Sequence, residues 1–448
     1  MDVTKPTLRA ATFLSIALPA LAQTAVIDLS RPYTNAPKHN ANAGASRLQS
    51  AQQLDVLGFA VVKNGQLVAS SAARERQNVY SVTKTFVATL IGIMIQNGDL
   101  TVSTTLEAAL PNVNWAQVSS ANEKRAITIG QMLSMSSGLT ANCYSYGPQG
   151  TVEQTLSSPQ FSAAQVGRHN YLCSGSILSY VIYQLTGRTP LQYANEHLFP
   201  ALGISRSITW SPTYGANGIH EAGHGLVLDP IELAKLGSLY RQGGVTGGNS
   251  STQLIPASFA TASNVDQLTQ RISSWSLFYL GQRCVFKSSG AGYGYMKWLF
   301  STASGQADCA LGHQGQFICT WPDLDVIIAI TSRDSTDYTS SCELLDLVAS
   351  GLDFDAEVSS SSSPPPTTRP TQRHTPSPPP SQHTLDRTPA QAASSSSSVI
   401  SIAVGGVAGV VVLVALIVVA SRLTKKPPKS ENVEGAAGTE LAVQTAAP

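Results

Sequence analysis

The feature that most constrains this chain is an apolar segment near its C-terminus, residues 399–420, which contains no charged residue. About 20 apolar residues are enough for a helix to cross the hydrocarbon core of a membrane. Positive charge favours the cytoplasmic side, and the segment is followed directly by Arg422, Lys425, Lys426 and Lys429. We therefore predict a transmembrane helix followed by a short cytoplasmic tail, residues 421–448. A glycolipid-anchor signal is disfavoured, because such signals end with their apolar run.

The N-terminus, residues 1–22, has the three parts of a signal peptide. Lys5 and Arg9 supply positive charge, an apolar stretch follows, and residues 20–22 read Ala-Leu-Ala, a small-x-small cleavage site. The two ends together predict a single-pass type I membrane protein, whose main part lies at the cell surface or in the lumen of the secretory pathway. The net charge is only +1, so the composition gives no argument for binding nucleic acid.

The six cysteines of the chain all lie in the part predicted to face outward, at positions 143, 173, 284, 309, 319 and 342. An even number of cysteines in an oxidising compartment indicates disulfides, but the sequence alone does not choose among the possible pairings. No Cys-x-x-Cys pair is present, so a structural zinc site is not predicted, and no motif indicates a cofactor. Residues 249–251 read Asn-Ser-Ser, a glycosylation sequon.

One globular domain is predicted between the two ends, residues 49–355. Residues 23–48 are predicted to be a lead-in that is not anchored to this domain. Residues 356–398 are dominated by Ser, Pro and Thr, a composition typical of an extended, disordered stalk that cannot bury a core. The chemistry of the protein is therefore expected within the domain.

Strands are predicted at both ends of the domain, with helices between them. Asn64-Gly65 between two apolar runs is a strong hairpin signal. Apolar residues at helical spacing predict helices over residues 82–96, 176–185, 190–202 and 230–241. Further strands are predicted over residues 293–300, 315–320 and 325–331, and a final helix over residues 340–352. This order indicates an α+β fold, in which a sheet carries an inserted helical subdomain.

The sequence Ser-Val-Thr-Lys begins the first predicted helix and places Ser81 and Lys84 three residues apart. Side chains at this spacing share one face of a helix, so the amine can reach the hydroxyl. An amine whose pKa is lowered by burial and by its neighbours can accept the serine proton and create a nucleophile. Taken alone, the motif more often marks a serine that caps the helix and a lysine that faces solvent.

Five stretches follow one another in a fixed order along residues 54–345. The first is the hairpin with the Ser-Val-Thr-Lys motif, and the second is Ile-Thr-Ile-Gly-Gln-Met-Leu-Ser-Met-Ser-Ser-Gly-Leu at residues 127–139. The others are Tyr-Leu-Cys-Ser-Gly at 171–175, Ala-Gly-His-Gly-Leu at 222–226 before a helix, and Gly-His-Gln-Gly-Gln at 312–316. In this order they resemble the β-lactamase-related family of class C β-lactamases, penicillin-binding proteins, D-alanyl-D-alanine peptidases and esterases. The resemblance implies an antiparallel sheet flanked by helices, with an inserted all-α subdomain, and a serine hydrolase without cofactor or metal.

The resemblance also implies roles for individual residues. Ser81 would be the nucleophile and Lys84 its proton acceptor. Tyr171 would transfer protons to the leaving group and later activate water, with a pKa lowered by Lys84. The backbone N–H groups of Ser81 and Gln316 would form the oxyanion hole. The substrate would be bound, in the cleft between the sheet and the helical subdomain, by His313, Gly315 and Cys173.

Two of these positions depart from the family pattern. Cys173 stands where the family has Asn or Ser, and a thiol is a weaker hydrogen-bond partner than an amide. Cys173 is alternatively held in a disulfide, for which Cys143 is the candidate partner. His313 stands where β-lactamases and peptidases have lysine, and neutral histidine is a poor partner for a substrate carboxylate. The expected substrate is therefore a small-molecule or peptide-like ester or amide, and the alternative is a surface binding protein that has lost catalysis on the same fold.

Residues 220–224 read His-Glu-Ala-Gly-His and match the His-Glu-x-x-His pattern of zinc proteases. That chemistry needs both histidines on one face of a helix. The segment is crowded with glycine, which is a poor helix former, and the family resemblance explains it as a glycine turn. No metal site is therefore predicted here.

Overall fold

The computed structural model describes residues 26–34, 56–71, 75–140, 150–171, 174–204, 207–211, 213–215, 217–247, 252–272, 291–302 and 305–333. All of them belong to one compact unit, Met1–Ser363, and none to the second unit, Pro364–Pro448. The predicted signal peptide, stalk, transmembrane helix, tail, sequon and final helix lie outside the described residues. Within the described ranges, no helix combines the length and the apolar character that crossing a membrane requires.

Among the described residues, the centre of the domain is an antiparallel sheet of seven strands. In chain order, the strands of the structure are β1 (Val56–Lys63), β2 (Gln66–Ser70), β3 (Gln77–Asn78), β4 (Ser137–Thr140), β5 (Gln160–Val166), β6 (Thr213–Tyr214), β7 (Ile219–His220), β8 (Val227–Leu228), β9 (Gly292–Tyr293), β10 (Trp298–Thr302), β11 (Gly305–Gly312), β12 (Gln316–Trp321) and β13 (Val326–Ser332). The sheet has the order β2-β1-β13-β12-β11-β10-β9, and the remaining strands form the short pairs β3-β8, β4-β5 and β6-β7. The first and last parts of the domain therefore meet in one sheet, as predicted.

The helices lie between the two halves of this sheet in sequence. They are α1 (Thr83–Asn97), α2 (Leu106–Ala109), α3 (Ala121–Arg125), α4 (Ile129–Leu133), α5 (Val152–Ser157), α6 (Ser174–Thr186), α7 (Pro190–Tyr193), α8 (Pro230–Arg241) and α9 (Ala257–Ala262). Helix α8 packs against β1, β12 and β13, while α6 contacts α1, α2, α4, α5 and α7. This arrangement confirms the predicted α+β fold with antiparallel sheet and helices. The helix predicted over residues 190–202 is instead α7 followed by a π-helix, Ala194–Leu198.

Helix α1 is the central helix of the domain. Every residue from Thr83 to Met94 is buried, which is the pattern of a helix that packs on all sides. It ends at Gly98, whose φ of 84° is the left-handed conformation that glycine adopts most easily. The helix predicted over residues 82–96 is therefore confirmed, and the first turn of α1 is held inside the protein.

The prediction of one continuous strand over residues 293–300 is wrong. Strand β9 ends at Tyr293 and β10 begins only at Trp298, because Met296 has a φ of 55° and its N–H donates to the carbonyl of Leu133 at 2.9 Å. The turn directs Lys297 into the protein, where its Nζ lies 2.9 Å from Asp308 Oδ2. Strand β11, which supplies Asp308, was not predicted.

The prediction that the lead-in is not anchored is wrong for residues 26–34. Leu29 is completely buried, and its N–H donates to the carbonyl of Thr246 at 2.9 Å. The N–H of Ile27 donates to Gln242 Oε1 at 2.7 Å. This segment is therefore part of the folded domain, and it packs beside the C-terminal end of α8.

Replacing Leu29 with alanine tests the importance of this segment. Removing a fully buried leucine side chain is expected to lower the free energy of unfolding by about 2–5 kcal/mol. Urea denaturation followed by circular dichroism measures the change. Val26→Ala is the control, because Val26 is 47% exposed and its loss should cost no more than about 0.5 kcal/mol. Equal effects of the two variants would contradict the docking of residues 26–34.

Candidate active site

Ser81 lies in a 3₁₀ turn, Tyr80–Val82, that leads directly into α1. The chain bends sharply just before it, since Tyr80 has a φ of 46° and its N–H donates to Asn78 Oδ1 at 2.9 Å. The first N–H groups of a helix lack intrahelical partners and carry partial positive charge. Negative charge that develops at or beside the Ser81 oxygen would therefore be stabilised.

Lys84 lies one helical turn further along and points back towards Ser81. Its Nζ donates to Ser81 Oγ at 2.8 Å and to the carbonyl oxygen of Gly223 at 2.7 Å. The residue is only 5% exposed, so it does not face solvent. The structure thus brings an amine and a hydroxyl into hydrogen-bonding contact inside the protein.

Tyr171 joins the pair from the segment that precedes α6. Lys84 Nζ lies 4.9 Å from the centre of its ring. The pKa of Tyr171 was expected to be lowered by Lys84, but burial raises it to about 12, against an opposing interaction with Ser81. The cause is a cluster of rings packed against Tyr171, formed by His169, Tyr293 and Trp298. Tyr171 is therefore a neutral phenol.

The turn between β11 and β12 lies beside the residues that precede Ser81. The ring of His313 is 5.3 Å from that of Tyr80, edge to face, and the Tyr80 hydroxyl donates to Gln314 Oε1 at 2.9 Å. A Cβ atom on Gly312 would lie 2.4 Å from the carbonyl oxygen of Val79, so only glycine permits this approach. His313 is exposed while Gly315 is buried, which leaves the imidazole at the surface beside Tyr80.

Gln316 begins β12 immediately after this turn. Its side chain is buried and bridges to Ser332 on β13, donating to the carbonyl oxygen at 2.6 Å and accepting from the N–H at 3.2 Å. These contacts fix the backbone of Gln316 relative to the sheet. Both β11 and β12 contact the turn that holds Ser81, so the two backbone N–H groups proposed for an oxyanion hole belong to elements in contact.

The cysteine predictions are tested only in part. Cys309 and Cys319 are directly opposite each other on β11 and β12 and form a disulfide. Both residues are fully buried, so the hairpin that carries His313 and Gln316 is covalently closed behind the turn. Cys173 and the proposed partner Cys143 lie outside the described residues.

Glu221 is a neighbour of this site that sequence reasoning did not identify as part of it. Its carboxylate is 8% exposed and accepts from Ser176 Oγ on α6, at 2.9 Å to Oε1 and 3.0 Å to Oε2. Oε1 also accepts from the N–H of Gly223 at 2.7 Å. No local pattern could reveal this arrangement, because Ser176 is 45 residues away in sequence.

The His-Glu-x-x-His match does not form a zinc-protease site in the structure. His220 belongs to β7, which pairs with β6, and the following residues form bends instead of a helix. The two histidines therefore do not share a helical face. Burial lowers the pKa of His220 to about 4, and its ring packs 5.7 Å from that of Trp210. Across the described residues, no group of three or more His, Cys, Asp or Glu side chains could hold a metal ion.

Comparisons with solved structures show that this fold is shared by many proteins. A proposed 6-aminohexanoate-dimer hydrolase from Bacillus anthracis is 17% identical, with a TM-score of 0.53 over 70% of this chain and 85% of that one. An octameric penicillin-binding protein homologue from Pyrococcus abyssi is 16% identical, with a TM-score of 0.53 over 69% and 77%. EstCE1, a hydrolase with promiscuous acyltransferase activity, is 15% identical, with a TM-score of 0.52 over 69% and 99%.

Sequence comparison identifies the family directly. No curated protein matches the chain. The family model described as Beta-lactamase, however, matches residues 41–353, which is well over half of the chain. The matched region contains the described sheet, the helices and the Ser81–Lys84 pair. The chain therefore belongs to the β-lactamase family and is a serine hydrolase.

Proposed function

We propose that this protein is a membrane-anchored, extracellular serine hydrolase that forms an acyl-enzyme on Ser81 from an ester or amide. One observation carries the proposal: Lys84 Nζ lies 2.8 Å from Ser81 Oγ at the start of a buried helix. A nucleophile and a base within hydrogen-bond reach, with a third group to orient or complete them, are the mark of covalent catalysis. Here the third group is the Tyr171 phenol.

The chemistry follows from these contacts. Lys84 takes the proton of Ser81 as the oxygen attacks the substrate carbonyl, and the N–H groups of Ser81 and Gln316 stabilise the oxyanion that forms. Because burial raises the pKa of Tyr171 to about 12, its phenol keeps its proton and can donate it to the leaving group. Water then attacks the acyl-enzyme carbonyl while Tyr171 takes up a proton from it. As the bond to Ser81 breaks, Lys84 returns its proton to Ser81 Oγ, and both groups are restored.

The substrate class is inferred from the surface beside Tyr80, the residue that precedes Ser81. His313 is exposed there, and a histidine does not hold a carboxylate as a permanently charged lysine would. We therefore favour an uncharged or weakly charged ester or amide over a β-lactam. A proposed 6-aminohexanoate-dimer hydrolase and a hydrolase with promiscuous acyltransferase activity share the fold, which is consistent with such substrates.

The location is inferred from the two ends of the chain, residues 1–22 and 399–420. The buried disulfide between Cys309 and Cys319 supports an oxidising compartment, because such bonds are rare in the cytosol. An epitope inserted after Gln23 should be stained on intact cells, while an epitope added after Pro448 should require permeabilised cells. Staining of both epitopes only after permeabilisation would contradict a cell-surface location.

Ser81→Ala tests the proposed nucleophile. A fluorophosphonate probe should label the wild-type protein at Ser81, as mapped by mass spectrometry, and should not label the variant. Hydrolysis of a chromogenic ester should fall by a factor on the order of 10⁴ or more, because the covalent step is lost. Ser103→Ala is the matched control, since Ser103 is exposed and its loss should change nothing.

A folded wild-type protein that no probe labels would overturn the proposal. That result would favour the alternative, a surface binding protein that keeps the fold without the chemistry. If the wild type is labelled, screening the purified full-length chain against esters, D-amino-acid peptides and a chromogenic cephalosporin would separate the substrate classes.

A further inference from the structure

A buried carboxylate is connected to the Ser81–Lys84 pair through a single glycine. The N–H of Gly223 donates to Glu221 Oε1 at 2.7 Å, and the carbonyl oxygen of the same residue accepts from Lys84 Nζ at 2.7 Å. Gly223 is thus fixed on both sides, by the carboxylate and by the amine. Any displacement of Glu221 would move the carbonyl that orients Lys84.

The two charged groups are also close in space. A Cβ atom built on Gly223 would lie 2.8 Å from Glu221 Oε1 and 3.6 Å from Lys84 Nζ, so both groups flank the same glycine. Both residues are more than nine-tenths buried, and charges interact more strongly away from water. A carboxylate at this position favours the protonated form of Lys84.

The carboxylate itself is held from two directions. Ser176 on α6 donates to both of its oxygens, and Trp210 Nε1 donates to the backbone carbonyl of Glu221 at 2.7 Å. These contacts connect the helical subdomain to the glycine turn. Glu221 therefore cannot swing out to solvent without breaking several hydrogen bonds, which is what a fixed electrostatic element requires.

Several titratable groups surround this arrangement in the described part of the chain. Lys84 on α1 and Tyr171 lie on one side. On another side, α6 contributes Tyr180, whose pKa is raised by burial and further by the negative charge of Glu221. The segment of Glu221 itself carries His220, which burial keeps neutral, and His224.

We propose that Glu221 is a positioning residue of this active site, which holds the Gly223 carbonyl against Lys84 and sets the pH range in which Lys84 can accept the Ser81 proton. The inference rests on the proposed function, since it takes Lys84 to act on Ser81. The negative charge stabilises the ammonium, so Lys84 becomes available as a base only at higher pH. The proton taken up by the free amine is the one that leaves Ser81 Oγ.

The test is the rate at which a fluorophosphonate labels Ser81 in the purified full-length chain, measured from acidic to alkaline pH. Glu221→Gln keeps the shape and the acceptor for the Gly223 N–H but removes the charge. Its acid limb should move to lower pH by about one unit, so that labelling at acidic pH becomes roughly tenfold faster. Glu221→Ala also removes the acceptor, and its rate on the alkaline plateau should fall roughly tenfold to a hundredfold.

Glu196→Gln is the matched control, because Glu196 is exposed and paired with Arg188, and its profile should equal that of the wild type. A merely structural role for Glu221 would lower the thermal midpoint without moving the acid limb. If the wild type is labelled and Glu221→Gln keeps the same pH profile, this inference is overturned while the proposed function stands. If the wild type is not labelled at any pH, the proposed function itself fails.

Discussion

Lys84→Met is expected to slow labelling and hydrolysis at Ser81 by about 10²–10⁴-fold, the usual contribution of a positioned general base. The amine is 2.8 Å from Ser81 Oγ, and methionine fills a similar volume without accepting a proton. The loss should appear in kcat more than in KM, because proton removal from Ser81 belongs to the chemical step. Rates on a chromogenic ester and with a fluorophosphonate measure the effect independently of the natural substrate.

Lys84→Arg distinguishes a role of Lys84 as a proton acceptor from a role in which it only supplies positive charge. Arginine keeps the positive charge but cannot lose a proton in a protein. If Lys84 is the base, the arginine variant should be about as slow as the methionine variant. Near-normal rates with arginine would mean that Lys84 acts only as a cation, and another group would then have to take the Ser81 proton.

Asp308→Ala is expected to lower the free energy of unfolding by about 3–5 kcal/mol, because it leaves a buried charge without its partner. Lys297 Nζ lies 2.9 Å from Asp308 Oδ2 and 3.0 Å from Asn264 Oδ1, and both members of the ion pair are almost completely buried. Lys297 Nζ also lies 3.8 Å from the centre of the Tyr240 ring, so protein groups and not bulk solvent surround the ammonium. Urea denaturation measures the loss.

The double variant Lys297→Met/Asp308→Leu should be less destabilised than Asp308→Ala. Replacing a buried ion pair by apolar side chains removes both desolvation costs, whereas removing one partner keeps one of them. The exposed pair between Arg188 and Glu196 is the control, since its removal should cost no more than about 1 kcal/mol. If the double variant has a lower free energy of unfolding than Asp308→Ala, the ion pair is a net source of stability.

The parts of the fold that local sequence determines could be predicted. The Asn64-Gly65 turn forms the hairpin between β1 and β2, with both residues at positive φ. Helix α8 begins after Asp229, whose side chain accepts from the N–H of Glu232 while the Glu232 side chain accepts from the N–H of Asp229. Each of these signals acts within a few residues, so the local sequence is sufficient to predict the turn and the helix start.

The interrupted strand around Met296 could not be predicted, because its cause is distant. An apolar run with one lysine resembles a continuous strand, yet Lys297 turns inward to meet Asp308 on a strand that was itself not recognised. The turn is fixed further by Thr85 on α1, whose hydroxyl donates to the Met296 carbonyl at 2.8 Å. Long-range partners of this kind override local propensity.

The same distinction applies to the active site. The contact between Ser81 and Lys84 follows from a spacing of three residues in one helix. The rise in the pKa of Tyr171 could not be predicted in this way, because the rings that bury its phenol come from other parts of the chain. In the sequence, Glu221 stands out only as part of a His-Glu-x-x-His match. Its connection to Lys84 runs through the backbone N–H and carbonyl of Gly223, which only the three-dimensional structure shows. Roles that depend on backbone groups leave little trace in a single sequence.

The docking of residues 26–34 has a practical consequence for where the catalytic domain can be cut. Strand β2 is an outer strand of the sheet, and on its open side the N–H of Leu67 donates to the carbonyl oxygen of Thr34 at 3.0 Å. A shortened chain that starts at residue 49 would leave this strand free to pair with a second molecule, a common route to aggregation. A recombinant version should therefore keep the residues from Val26 onward.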